Sequence, residues 1–366
     1  MSLFSEFFKK EEPRALGVDI GSSAIKVVQL KRKNSQAILE TYGELSLGPY
    51  GGVNVGSAVR LPPEKLASAL SDLMKEKEVG VTTRSCGVSI PFSMSLMSVI
   101  EMPAVSPREL TVMVPIEARK YIPVPISEVM LDWSIIPKSA AAPEVSQSDQ
   151  APGQRMDVLV VAIHKDTIAQ YQEIVNKASL EAGFFEIEIF STMRSVLDET
   201  LRPVLIMDMG AASTKLYIIE RGIVRASHTV NRGSQDITAT LARSLNVSVE
   251  QAEVKKREMG LLGGDQNFND VITLVLDYIF AEVNSIMLAF EKKHNKTIAK
   301  ILLVGGGAAL KGLADLAKSN FKTEVEQALP FNKVSAPAFL DQILRETVPE
   351  IAVAIGLALR KLAETE

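Results

Sequence analysis

The sequence predicts an α/β protein of two lobes, and three features predict it. The first is the run LGVDIGSSAIKVV at 16–28, an apolar strand carrying Asp19, a tight Gly21-Ser22-Ser23 turn, and Lys26 in a second β-branched run. The second is its echo at 205–218, LIMDMGAASTKLYI, where Asp208, Gly210, Thr214 and Lys215 repeat the intervals of Asp19, Gly21, Ile25 and Lys26. The third is Gly305-Gly306-Gly307, placed directly after the apolar strand 301–304. Such turns suit phosphate, because glycine admits close backbone approach, hydroxyls and amides donate, and an acid can hold magnesium through water. A lone D-x-G turn occurs in many hairpins. Three glycine turns, each after an apolar strand, point instead to a duplicated fold closing on one polyphosphate from both sides.

The chain's 366 residues are enough for two lobes and a large core. A net charge of −4 supplies no basic field, which disfavours nucleic acid as a partner. Cys86 is the only cysteine, and His164, His228 and His294 are scattered. A disulfide framework is excluded, a Cys/His zinc site is disfavoured, and a reducing cytoplasm fits. No stretch is expected to reach the roughly 18–20 apolar residues of a membrane span, the longest candidate being 351–359. The opening MSLFSEFFKKEEP lacks the basic-then-apolar order of a secretion signal. Leu3, Phe4, Phe7 and Phe8 share one helical face ahead of Lys9-Lys10, too short a foot to hold a membrane alone, so the segment reads as a tail or docking element.

In chain order, a meander continues through 27–30 and 37–45, and a Gly-rich loop (48–56) leads to a helix start at Pro62-Pro63-Glu64 with Leu66, Leu70, Leu73 and Met74 as its apolar face. Cys86 to Ile90 is a strand stopped by Pro91. From Phe92 the texture changes: a Met-rich strand (95–101) precedes a helix capped by Ser106 with Pro107 at its first position and Pro115 inside. A strand with the single Trp133, a low-complexity loop (139–154), a strand (157–163) and a helix over 166–182 stopping at Gly183 complete a compact α+β insert. The second unit turns at Glu220-Arg221-Gly222. Helices follow at 233–245 and 248–259, then a long one over 271–290 with Ile272, Leu276, Ile279, Val283, Met287 and Phe290 inward. A final alanine-rich helix covers 349–364.

Each singled-out residue has a plainer alternative. The triple glycine could be a closely packed strand–helix elbow. Glu253 and Lys256, three apart on one helix face, could meet ribose hydroxyls or form a solvated pair beside Lys255, Arg257 and Glu258. Met94, Met97, Met102 and Met113 read as core filler, with a peptide groove as the lesser alternative.

The order of these motifs resembles the actin-like ATPase superfamily, and within it the PilM family of type IV pilus assembly proteins, which is related to FtsA. The resemblance rests on LGVDIGSSAIKVVQL, on EARKYIPVPISEV at 117–129, on the MDMGAAST turn and on EIAVAIGLALR at 350–360. It implies two actin-like (ribonuclease H-like) lobes with an FtsA-type, SHS2-like α+β insert. The expected divisions are 1–91 for the first lobe, 92–182 for the insert, 183–202 returning to the first lobe, 203–347 for the second lobe with a helical nucleotide-binding part at about 231–300, and 348–366 as a helix packing back on the first lobe. It implies ATP or ADP with Mg2+ as cofactors. Asp19, Gly21, Ser22, Ser23 and Lys26 look like the first phosphate motif; Asp208, Gly210, Ala211, Ser213, Thr214 and Lys215 look like the second, with Gly233 at the next helix start. Gly305, Gly306, Gly307 and Lys311 look like the adenosine motif, Glu253 and Lys256 fall where ribose and adenine are contacted, and Asp19 and Asp208 would hold the metal.

Residues 186–194 offer no clear glutamine or glutamate to orient a water, and Ala211 and Ala212 replace glycines of fast members, so hydrolysis is expected to be slow or absent. The catalytic residue stays unassigned. The resemblance further implies a cytoplasmic protein, peripheral at the inner membrane through its partners. These are the cytoplasmic N-terminal peptide of PilN, with PilO indirectly and the pilus motor ATPases, while self-association stays open. An FtsA-like polymerising division protein is the near alternative, and against it the chain is expected to stop straight after its last helix. A sugar kinase would want a longer chain, and a chaperone a separate β-rich domain.

Overall fold

The computed structural model describes residues 12–136, 155–198, 201–336 and 348–365. The N-terminal phenylalanine-rich segment and the low-complexity loop lie outside them.

The first lobe begins with β1 (Arg14–Ile20), β2 (Ala24–Lys33) and β3 (Gln36–Ser46), an antiparallel meander. Helix α1 (Pro63–Lys75) leads to β4 (Ser85–Ile90), parallel to β1. The sheet closes with β8 (Glu181–Ile187), giving the order β3-β2-β1-β4-β8. The second lobe repeats this plan. β9 (Val204–Met209), β10 (Thr214–Glu220) and β11 (Ile223–Val230) form the meander; β12 (Lys300–Val304) and β13 (Glu324–Gln327) add in parallel, giving β11-β10-β9-β12-β13. Strand β9 is buried throughout, as its apolar run 204–207 requires of a strand covered on both faces, and Asp208 is buried with it. The β10–β11 turn falls at Arg221 and Gly222, both left-handed (φ 55° and 72°), the geometry of a two-residue hairpin.

A third, three-stranded antiparallel sheet, β5-β7-β6, is built from β5 (Ser95–Pro103), β6 (Val129–Ile136) and β7 (Arg155–His164). Against it lies α2 (Pro107–Ala118), opened by a reciprocal capping box between Ser106 and Glu109. Their shared core includes Ile100, Leu110, Val114, Val158 and Val160. Helix α3 (Lys165–Lys177), which the sequence groups with this insert, packs elsewhere: Tyr171, Ile174 and Val175 join Leu70 and Leu73 of α1 in the first-lobe core. Nor does it run to Gly183. The left-handed Ser179 (φ 58°) ends it, and Gly183 lies inside β8, where a Cβ would strike Lys361.

Two helices tie the lobes together. Helix α4 (Glu188–Val196) buries Ile189 and Met193 against Ile206, Tyr217 and Val304 of the second sheet. The C-terminal helix α9 (Ala352–Ala363) lies on β1 and β2 with Ala354, Ile355 and Ala358 over Val28 and Leu30. This approach needs two glycines: a Cβ on Gly17 would collide with the Ala354 carbonyl, and one on Gly356 with the Ser191 carbonyl of α4.

In the second lobe, α5 (Ser234–Leu245), α6 (Val249–Met259), α7 (Gln266–His294) and the later α8 (Leu313–Asn320) complete the order. Contrary to the sequence expectation, α7 has the length and apolar composition of a membrane span; its two-sided apolar character escapes a search for uninterrupted runs because Asp277 and Glu282 break it. One face carries Phe268, Ile272, Leu276, Ile279, Val283, Met287 and Phe290 into the second-lobe core.

Candidate functional site

The two hairpins share one backbone layout. In each, aspartate and lysine are cross-strand neighbours: Asp19 faces Lys26, and Asp208 faces Lys215. In each, a glycine amide closes the turn onto a carbonyl three residues on, Gly21 N–H to Ala24 O and Gly210 N–H to Ser213 O, both at 3.0 Å. Between them lies a cleft of about 640 Å³, lined by both turns, both acid–lysine pairs and the triple-glycine elbow. Of the residues expected at the site, Asp19, Gly21, Ser22, Ser23, Lys26, Asp208, Gly210, Ala211, Lys215, Glu253, Lys256, Gly305, Gly306, Gly307 and Lys311 line it.

Three do not. Thr214 neighbours the cleft-facing Lys215 on β10, so strand alternation turns its side chain away, and its hydroxyl donates to the Arg232 carbonyl at 2.9 Å. Ser213 contributes the carbonyl that closes the second turn. Gly233 is a packing glycine: a Cβ there would strike the Gly210 and Ala211 carbonyls, onto which the Ser234 and Gln235 amides donate. Lys311 reaches the rim, but its ammonium donates to the Glu258 carbonyl at 2.8 Å and so ties the elbow to the end of α6.

The elbow rests on the second hairpin. Gly305 is left-handed (φ 85°), and any Cβ would meet the Asp208 carboxylate and the Met209 carbonyl. Gly306, by contrast, has no neighbour nearer than Glu350 at 3.6 Å to where its Cβ would sit, leaving its backbone open to the cleft.

Burial sets the electrostatics. It raises the Asp19 carboxyl to about 6, against the pull of Lys26 and with a push from Glu188; the Ser89 hydroxyl donates to its Oδ1 at 2.7 Å. Burial likewise raises Asp208, opposed by Lys215. For Lys215 burial pulls downward, but Glu188 and Asp208 outweigh it and the net shift is upward; the ammonium lies 2.7 Å from Glu188 and 3.7 Å from Asp208. Lys26 makes no such ion pair among the described residues.

Glu253 and Lys256 are buried, not solvated. They pair at 2.7 Å, the Thr238 hydroxyl donates to Glu253 at 2.6 Å, and Lys256 donates to Thr238 at 2.9 Å. Arg257 adds a third bond to Glu253 at 2.7 Å. Burial pulls the Lys256 ammonium down despite its partner, and the net effect of the partners holds Glu253 low against its own burial. From the opposite lobe, Gly56 comes against the Glu253 carboxylate and the Ala58 amide donates to Gln235 at 3.1 Å.

Four cleft residues escape the sequence reading. Glu188, in the very segment where no acid stands out, begins α4 between the two aspartates and also accepts from the Phe92 amide at 2.6 Å. Glu44 and Glu350 come together on the wall near Lys26, where burial and the neighbouring Glu44 raise Glu350 to about 7. Arg257 faces both. Each is brought in by a different element, so no local spacing announces them. No group of three or more His, Cys, Asp or Glu able to hold a metal unaided occurs among the described residues.

The arrangement is a cleft between duplicated sheets with paired acid–lysine hairpins, built on a fold that known proteins share. The family described as type IV pilus assembly protein PilM matches residues 17–362. A solved PilM-PilN type IV pilus biogenesis complex superposes with a TM-score of 0.79 at 27% identity, covering 95% of this chain and 98% of that one. The cell division protein FtsA of Bacillus subtilis (strain 168) is 22% identical over 349 residues, 86% of this chain and 78% of its own length. MreB5 of Spiroplasma citri bound to ADP shares the fold, with a TM-score of 0.50 at 12% identity over 96% of each chain. The chain therefore has the two-lobed actin-like fold and belongs to the PilM family of type IV pilus assembly proteins.

Proposed function

We propose that this chain is an adaptor of pilus assembly that binds ATP or ADP in the cleft and the cytoplasmic N-terminal peptide of PilN on its surface. In that role it couples the inner-membrane alignment subcomplex to the motor from the cytoplasmic side. The observation that carries the nucleotide half is the convergence of two matched hairpins and an open glycine elbow on one cavity. In this reading the Gly21–Ser23 and Gly210–Ala211 turns meet phosphates, Lys26, without an ion pair among the described residues, supplies a cation, Gly306 lies against the adenosine, and Glu253 with Lys256 meets the ribose side. The site fits a magnesium ion held mainly by water and phosphate: Asp19 is buried with its carboxyl raised despite the pull of Lys26, and it makes no ion pair among the described residues, so a nearby divalent cation would relieve it. Glu188 is engaged by Lys215 and the Phe92 amide, which supports slow or absent hydrolysis and a nucleotide acting as a conformational ligand.

The PilN half draws on the family and on the solved PilM-PilN complex, which aligns over nearly all of both chains. Calorimetry should show MgATP binding to the wild type and a loss of at least about tenfold in Asp19→Ala and Gly306→Val, both still folded by circular dichroism. Unchanged affinity would remove the cleft assignment. A labelled peptide copied from a PilN N-terminus should bind the full chain by fluorescence anisotropy, and its failure would leave the nucleotide half standing alone.

A further inference from the structure

The outer face of α7 carries apolar side chains that stay more than half exposed. Leu274 is 68% exposed, Tyr278 53% and Leu288 64%, while the opposite face of the helix is buried in the second-lobe core. A 29-residue helix is about 44 Å long, and the exposed stripe runs along most of it.

The stripe is self-complementary when read backwards from Ala281. Leu274 and Leu288 lie seven residues on either side of it, and Asp270 and Lys292 eleven on either side; all are exposed. Around a twofold axis at Ala281, an antiparallel second helix sets Leu274 against Leu288 and Asp270 against Lys292, each twice. The bulky Tyr278 meets the region of Asn284 and Ser285, and the small Ala281 stands at the crossing, where a short side chain lets helices approach closely. Arg232 lies over the Tyr278 ring at 5.7 Å and helps hold it in place. Isologous pairing demands that apolar layers match apolar layers and that charges reverse sign end to end. The Leu274–Leu288 and Asp270–Lys292 layers meet both demands, and Tyr278 packs beside the polar Asn284 and Ser285.

We propose that α7 pairs antiparallel with the α7 of a second copy of this chain, with Ala281 at the twofold. The contact is one helix face wide, so the dimer is weak and dissociates on the order of 10–100 µM. The pairing is independent of the nucleotide reading.

The test is cysteine cross-linking of the full chain. The native Cys86 is buried and serves as a silent background. Under mild oxidation Ala281→Cys should give a disulfide-linked dimer well before Ser68→Cys, an exposed control on α1. In sedimentation, Asp270→Lys and Lys292→Asp should each shift dimerisation at least about tenfold to higher concentration, and the double variant should restore it. The pairing is overturned if Ala281→Cys cross-links no faster than the control. It is overturned equally if the double charge reversal fails to recover what the single ones lose, which would mean another surface or another partner occupies the stripe.

Discussion

The two hairpins share sequence spacing, register and turn closure, yet their lysines have opposite circumstances. Lys215 is buried and held by Glu188 and Asp208, whereas Lys26 makes no ion pair among the described residues and faces the cavity. One copy of the motif has become an anchor between a strand and the inter-lobe helix α4; the other keeps its charge available. Duplication supplied the geometry, and the non-local neighbour Glu188 divided the labour.

The sharpest way to break this comparison is Lys215→Met, which strands the buried Glu188 carboxylate. Removing one partner of a buried pair costs about 3–5 kcal/mol, so chemical denaturation should show a loss of that size, with Lys215→Met/Glu188→Gln recovering more than half. A small loss for the single variant would mean the anchor is not one.

Asp19 comes next. Its carboxyl titrates at about 6 in the folded state against 3.8 for an unburied one. Between those values the folded chain holds the extra proton, so stability falls as pH rises through this window and the loss is complete above about 6. The upper bound is about 3 kcal/mol, from 1.36 kcal/mol per unit. Asp19→Asn should therefore be more stable than the wild type at pH 7 and lose this part of the pH dependence. Magnesium-dependent nucleotide binding should weaken in the wild type as pH drops below about 6. A flat profile in both would detach Asp19 from the site.

Lys26→Met should give the smallest change in free energy and the clearest separation. Unfolding midpoints should stay close to wild type, while MgATP affinity drops roughly 10- to 100-fold by calorimetry, as expected for one charge-assisted contact. If Lys26→Met instead unfolds the protein and Lys215→Met only weakens binding, the two hairpins have been assigned the wrong way round.

Much of this was legible from residue spacing. The acid-to-lysine interval of seven encodes a cross-strand pair because a four-residue turn fixes hairpin register, and three glycines directly after an apolar strand locate the elbow at 305–307. What failed was non-local or depended on side-chain direction. Thr214 sits in the right motif but on the wrong face of β10, and Gly183 resembles a helix stop although the stop is Ser179. Glu188, Glu44 and Glu350 reach the cleft from three distant stretches of chain, and only folding brings them together.

The seat of α9 on β1 and β2 has a consequence for biosynthesis. More than three hundred residues of chain separate the strand at Gly17 from the helix that covers it. On a ribosome, Val28 and Leu30 must wait for the helix Ala352–Ala363 to emerge before their apolar cover arrives. The first lobe is thus begun before the second and completed after it, and its uncovered sheet is the apolar surface a nascent chain leaves exposed longest between these elements.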